Sequence, residues 1–411
     1  RLAGMIAATA TFAAAATEAS AQQAVVCDPL NGSACSSTQV QAGDVLSTVN
    51  LDVGVGQLQV SVETHGNVLR GGIEGTSGAI TVVQTMSGAA RAGVTTALAG
   101  AENGGAIDTH VRGNSFEAYT GDATLSVDVT QSATNAAVEA RTNVPAGESE
   151  ITGGGYVATS ATANNVAVGG PMSSVIGSVD QGAQATVMAE TTADIRYIPA
   201  RASFDSRATA NSVQAGTTGS SHQDLAIRQR NAPSTVEART DVYVDNAWDA
   251  SASAAAGANF ANMANEGGSM IVQADQANEG RVRAASRLRA DQYGAATVSA
   301  RAVANEVIAG NDDIYLSLDN TQLNSGGVEA TATFEGAAGY DAYVGAEAIG
   351  NAVSGYVCSQ CGGEANVTNN QVNNGDVSAV VNVGVGSGRA VVAGANAAGN
   401  SATFYVSRPG G

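Results

Sequence analysis

The segments QANEGRVRAA (276–285), QLNSGGVEAT (322–331) and QVNNGDVSAV (371–380) all read Q-x-N-x-G-x-V-x-A, with each marked residue on an alternate position. An alternation with period two is the mark of an extended strand whose two faces differ. Its return at a fixed interval makes each strand the equivalent of the last. Weaker copies begin at Gln39, Gln84, Gln131, Gln181 and Gln229; with Gln276, Gln322 and Gln371 they make eight, at steps of 45, 47, 50, 48, 47, 46 and 49 residues.

A second motif keeps the same period out of phase. It centres on Asn164 (ATANNVAVG), Asn211 (ATANSVQAG), Asn259 (GANFANM), Asn305 (AVANEVIAG) and Asn351 (AIGNAVSG), with looser copies at Asn67, Asn114 and Asn400. The distance from an Asn to the next Gln is 17 residues in five cases and 18 between Asn211 and Gln229. It widens to 20 between Asn351 and Gln371, where Cys358 and Cys361 form a C-x-x-C. The C-x-x-C therefore sits on an insertion into a regular unit.

A period near 47 also suits helical repeats. The residues argue otherwise: Leu is scarce, Gly accounts for 50 of 411 residues, and apolar positions alternate. In 276–290, Gln276, Asn278, Gly280, Val282, Ala284, Ser286, Leu288 and Ala290 share one face of a strand, and Arg281, Arg283, Arg287 and Arg289 share the other. The Ala-rich stretch 249–259 favours helix by propensity alone, but its place in the array reads as strand and turn. The expected fold is all-β, a parallel β-solenoid of about eight ~47-residue repeats. Inward Gln and Asn at equivalent positions would form ladders of side-chain amides. Outside, Arg141, Glu190 and Arg239 occupy one repeat position in succession, and alternating charge suits direct stacking. The repeat does not decide between one wide rung and two narrow ones. At roughly 4.8 Å per rung the stack would be about 40 Å or about 75 Å long.

The organisation read from the sequence is a secretory leader over 1–21, a cap with a disulfide loop over 22–38, the array over 39–400 and an edge or tail over 401–411. The leader rests on an apolar Ala-rich run ending in Ala19-Ser20-Ala21 before Gln22. In an exported chain the four cysteines are expected as two local disulfides, Cys27 with Cys35 and Cys358 with Cys361. All 18 basic residues are Arg, and the formal net charge is −19. That charge excludes nucleic acid and anionic membrane surfaces as partners, and the absence of Lys excludes Schiff-base chemistry.

No HExxH, GxSxG or P-loop is present, and no cofactor is expected. His65, His110 and His222 fall at unrelated points of the repeat. The acidic turn NDDI (311–314) lacks the nine-residue recurrence of calcium-binding solenoids. Trp248, the one Trp, is expected to pack at a corner rather than to stack on sugar. These readings describe a structural or adhesive protein, not an enzyme.

The Gln/Asn/Gly ladder and small-residue stack are similar to the curlin family of surface amyloids, whose repeat is about half as long. From the leader through QVQAGDV (39–45) to the C-x-x-C insertion, the chain resembles the HfaD family of holdfast anchor proteins of stalked bacteria. The resemblance implies a cell-surface protein, at the outer membrane of the stalk tip or cell pole, that tethers the holdfast polysaccharide. It also implies a curli-type secretion protein (HfaB) and a small curlin-like anchor protein (HfaA) as partners. No binding residues carry over from it. The alternatives are a secreted adhesin and a polysaccharide-processing β-helix enzyme. Both ends of a solenoid are open strand edges unless capped. The 27–35 loop is expected to blunt the first, and the C-terminal edge, around Phe404, Tyr405 and Val406, to dock another copy or a partner.

Overall fold

The computed structural model describes residues 19–20, 34–145, 149–358 and 363–407. It is all-β: seventeen strands in one continuous sheet, every adjacent pair parallel. The chain winds as a parallel β-solenoid, and the register settles its width. Gln229 lies beside Gln276 and Gln276 beside Gln322, so a whole repeat makes one coil. The eight repeats therefore make eight coils, the shorter of the two expected stacks, about 40 Å.

Coil six shows the plan. A short strand, Ser269–Asn278, is followed at Glu279 and Gly280 by a turn, and then by a long strand, Arg281–Asn311. The long strand folds back on itself around 291–294, so the coil is a flattened loop with two facing walls. Residues 276–290 were expected to form one strand. The inward alternation does run through all of them, but the turn at Glu279 and Gly280 divides it in two. Gly280 is needed because its neighbours leave no room: a Cβ there would lie 2.5 Å from Ser234 O. At the equivalent Gly326 a Cβ would lie 1.9 Å from Gly280 O. The third coil has one more residue in this turn, and Asn135 absorbs it with a φ of 52°, a conformation Asn tolerates better than most residues.

The two walls enclose two separate apolar lobes. The first, typified by Val282, Ala284 and Leu288 opposite Ala296, Val298 and Ala300, runs through all eight coils. The second joins the short strand to the end of the long one, with Met270 and Val272 facing Val307 and Ala309. Small residues dominate because the walls are close, and large ones are offset along a column: Phe204 lies above Ala252, so that stacked layers interlock. Tyr293 packs edge-on to Phe334 with centroids 5.0 Å apart, and Gly336 and Gly339 of the next coil leave space for its ring. The Ala-rich stretch 249–259 lies within the strand Thr235–Asn265, with Ala250, Ala252, Ala254 and Ala256 buried in the first lobe.

One feature of the walls is invisible in the alternation. Ala304 and Asn305 both point inward, so the inward phase changes between the lobes. The residue before each ladder Asn is Gly or Ala in every coil: 66, 113, 163, 210, 258, 304, 350 and 399. At Gly66 and Gly113 a Cβ would come within 2.6 Å and 2.5 Å of the following coil's backbone oxygens, so these two places take Gly, whereas Ala163, Ala210, Ala258 and Ala304 bury a methyl there.

Replacing Gly326 by Ala is expected to destabilise the fold by about 1–3 kcal/mol through overpacking against backbone, whereas Gly345→Ala, which meets nothing within 4 Å, should cost far less. Urea unfolding of the two variants compares them.

Candidate functional site: an amide partition and an exposed corner

Where the lobes meet, two columns of amides fill the space between the walls. The Gln column runs Gln39, Gln84, Gln131, Gln181, Gln229, Gln276, Gln322, Gln371, each paired in register with the next. The Asn column runs Asn67, Asn114, Asn164, Asn211, Asn259, Asn305, Asn351, Asn400 in the same way. Gln276 Nε2 donates to Gln229 Oε1 at 2.7 Å and to Glu306 O on the opposite wall at 3.0 Å. Asn259 Nδ2 donates to Asn305 Oδ1 at 2.7 Å and to Ala277 O at 2.9 Å. Each amide thus spends one N–H along the stack and the other across it. The carbonyl on the far wall fixes which amide atom faces it, because an oxygen there would have no donor.

The two columns run in opposite senses. Gln amides donate to the preceding coil, as Gln131 does to Gln84, and Asn amides donate to the following one, as Asn114 does to Asn164. The Asn marked in Q-x-N-x-G-x-V-x-A makes a further column, and a chain of hydroxyls escaped the sequence reading. Asn231, Asn278, Asn324 and Asn373 form a third ladder beside the motif turn, Asn278 Nδ2 also closing on Gly280 O. In the first lobe the hydroxyls of Thr109, Thr142, Thr159, Thr191, Ser206 and Thr240 link in a chain that crosses from wall to wall. Its signals in the sequence were Thr at 142, 191 and 240 in one repeat position and Thr109, Thr159 and Ser206 in another.

Cys27 and Cys361 lie outside the described residues, and so do the two disulfides expected there. The leader expected over 1–21 is likewise outside them, apart from Ala19–Ser20, which pairs with Thr64–His65.

The outer surface is charged in columns. Glu190 lies 3.4 Å from Arg141 and 3.7 Å from Arg239, and Arg283 bridges Glu237 and Glu329. Each such exposed pair contributes at most about 1 kcal/mol. At the fold-back corner Trp248 is 63 % exposed, so it stands at a corner as expected but is not packed into it. Its ring lies over Gly294 and edge-on to Tyr340, centroids 6.4 Å apart, and Arg389 covers Tyr340. Tyr243 nearby is pushed up to about 12 by hydrogen bonds to Asp245 and then Asp291. The corner is a ridge of ring faces flanked by carboxylates.

The three histidines stay apart. His110 bonds Ser160, His222 bonds Ser269, and His65 is buried beside Glu63. Asp313 in the NDDI turn accepts from Gly268 N, tying one coil's turn to the last. Among the described residues no group of three or more His, Cys, Asp or Glu could hold a metal.

What these parts define is a repeat scaffold: a parallel solenoid whose buried polar groups join coil to coil and wall to wall. A family model described as holdfast attachment protein D (HfaD) matches residues 53–327, and the chain belongs to that family. No curated protein and no solved structure matches it.

Gln276→Leu strands acceptors on Gln229 and Glu306 and a donor on Gln322, each costing about 1–3 kcal/mol when buried, so a loss of roughly 3 kcal/mol or more is expected. Gln371→Leu at the open end, where water reaches the same groups, should cost about 1 kcal/mol or less; denaturant unfolding reads both.

Glu63 is held down to about 2 by its hydrogen bond from His65, with Arg112 and His110 adding to it. A depressed carboxyl contributes stability above its ordinary value of 4.5, and that stability is lost as pH falls toward 2. Hydrogen-exchange protection in the first coil, taken relative to the intrinsic exchange rate at each pH, should fall across that window, and Glu63→Gln should flatten the change.

Proposed function

We propose that the chain is a non-enzymatic structural protein of the cell surface that anchors the holdfast polysaccharide to the envelope. Membership of the holdfast attachment family carries this reading, and the scaffold supports it. Every coil is joined to the next by backbone hydrogen bonds and by amides in the interior. A pull along the stack is therefore shared among many bonds. The Trp248–Tyr340 ridge is where we place the polysaccharide: the exposed outer face of Trp248 offers a flat apolar surface to sugar, and the adjoining carboxylates offer acceptors to its hydroxyls.

In this reading residues 1–21 are an export leader, 22–38 cap the array over 39–400, and 401–411 form its edge. Local disulfides join Cys27 to Cys35 and Cys358 to Cys361. The chain leaves the cell through a curli-type outer-membrane protein (HfaB) and works beside a small curlin-like anchor protein (HfaA) at the stalk tip or pole.

Deleting the protein in its host is expected to leave holdfast material being made but shed into the medium, scored by lectin staining of cells and of spent medium. A chain carrying Trp248→Ala should reach the surface in normal amount yet retain less adhesive. Retention of holdfast by the deletion strain would overturn the anchor reading.

A further inference from the structure

Among the described residues every Arg but one holds an ion pair with Asp or Glu. The exception is Arg207. In a chain with 37 acidic residues and 18 basic ones, a guanidinium without a carboxylate runs against the supply of partners. Asp205, two residues along the same outer face, accepts instead from Ser253 Oγ.

Arg207 lines a cleft of about 290 Å³ on the outside of the wall. The change of inward phase makes the wall concave there. In coil five Ala258 and Asn259 both turn inward, so the outer surface dips between Gly257 and Phe260. The residues of that coil deepen the dip. Ala255 lies in register between Arg207 and Arg301, and Gly257 between Thr209 and Val303. A Cβ on Gly257 would meet nothing nearer than Val303 O at 3.9 Å. No packing demand therefore calls for Gly, and its missing side chain is open space. The notch spans two strand spacings, roughly 10 Å, with an arginine at each edge.

Only one of those arginines is free. Arg301 is held by Glu306 at 2.7 Å and 3.1 Å and by Glu347 at 3.0 Å. Glu306 is the carboxylate that lines the cleft, and this pairing uses it. Farther along, Arg112 is taken by Glu117 at 2.6 Å. The charge left to meet a ligand is that of Arg207. Beside it stand the neutral hydrogen-bonding groups of Thr209, Ser212 and Gln214 and the ring of Phe260.

A guanidinium is a planar fork that matches a carboxylate with two parallel hydrogen bonds. Hydroxyls and an amide suit the hydroxyls of a sugar, and an aromatic ring suits its apolar face. A bare oxyanion would leave the ring unused. The volume is at the small end of small-molecule sites, about 300–1,000 Å³, and holds one sugar residue.

We infer that this cleft binds a uronic acid residue of an acidic polysaccharide, with its carboxylate on Arg207 and its ring against Phe260. The net charge of −19 weighs against an extended anionic surface. A single carboxylate, however, meets mainly the charges within about 8 Å at physiological ionic strength. Such binding is separate from the Trp248–Tyr340 ridge and holds whether or not the chain anchors holdfast.

The test is calorimetric titration of the purified full chain with trimers of galacturonate and of mannuronate, which differ in the configuration of their hydroxyls. At least one should bind saturably. Its methyl ester, the same sugar with the charge capped, should bind about tenfold more weakly or worse. Arg207→Gln should lose affinity to the same degree at an unchanged urea midpoint, because the fold takes no ion pair from Arg207. Gly257→Val places a β-branched side chain between Thr209 and Val303, filling the notch while leaving Arg207 in place, and should also abolish binding. Failure of both trimers to bind overturns the assignment, as does equal binding by the methyl ester or by Arg207→Gln. Sodium sulfate that displaces the bound trimer at equal molar concentration marks a bare anion site and overturns it too.

Discussion

A primary amide nitrogen carries two hydrogens, and the architecture depends on where they go. In a parallel stack with identical residues in register, one hydrogen is taken by the amide of the adjacent coil. The other is free to reach across, and a wall close enough to accept it must lie opposite. Gln276 meets both demands at 2.7 Å and 3.0 Å. Satisfying both fixes the coil-to-coil register and the distance between walls. That distance in turn leaves room mainly for Ala, Val, Ser and Thr, which is why the interior contains so few aromatic rings.

The partition also divides the hydrophobic interior into two lobes that need not resemble each other. The first lobe is rich in Ala, with bulk supplied at intervals by Phe204, Tyr293 and Phe334. The second holds more Ile, Leu and Met. Residues on the outside are then free of packing demands. Charged columns, the NDDI turn and the aromatic corner all occupy that outer surface, where change leaves the ladders undisturbed.

The parallel solenoid was legible in the sequence because burying an amide is costly unless every coil supplies one at the same place. That demand leaves Gln and Asn at a nearly constant period through otherwise divergent repeats. Features set by one wall facing the other left weaker traces. The Thr and Ser hydroxyl chain alternates between walls, so each of its two columns shows only half of it and neither reveals the bonds between them. The change of inward phase at Ala304 and Asn305 leaves only a small residue before each Asn. The turn at Gly280 does not interrupt the alternation at all, and so 276–290 reads as one strand. Trp248 reads as a core residue by type, and only the fold-back of the wall, with Gly294 beneath the ring, places it in solvent.

The two ladders donate in opposite directions, Gln toward the first coil and Asn toward the last. Aligned amides are aligned dipoles, and a single column would accumulate charge of opposite sign at its ends, as a helix does. With antiparallel columns side by side the two contributions oppose each other at every coil. Between these two columns the polarisation does not build up with the number of coils; the third ladder, Asn231 to Asn373, also donates toward the last coil, so a net polarity remains along the coils that carry it.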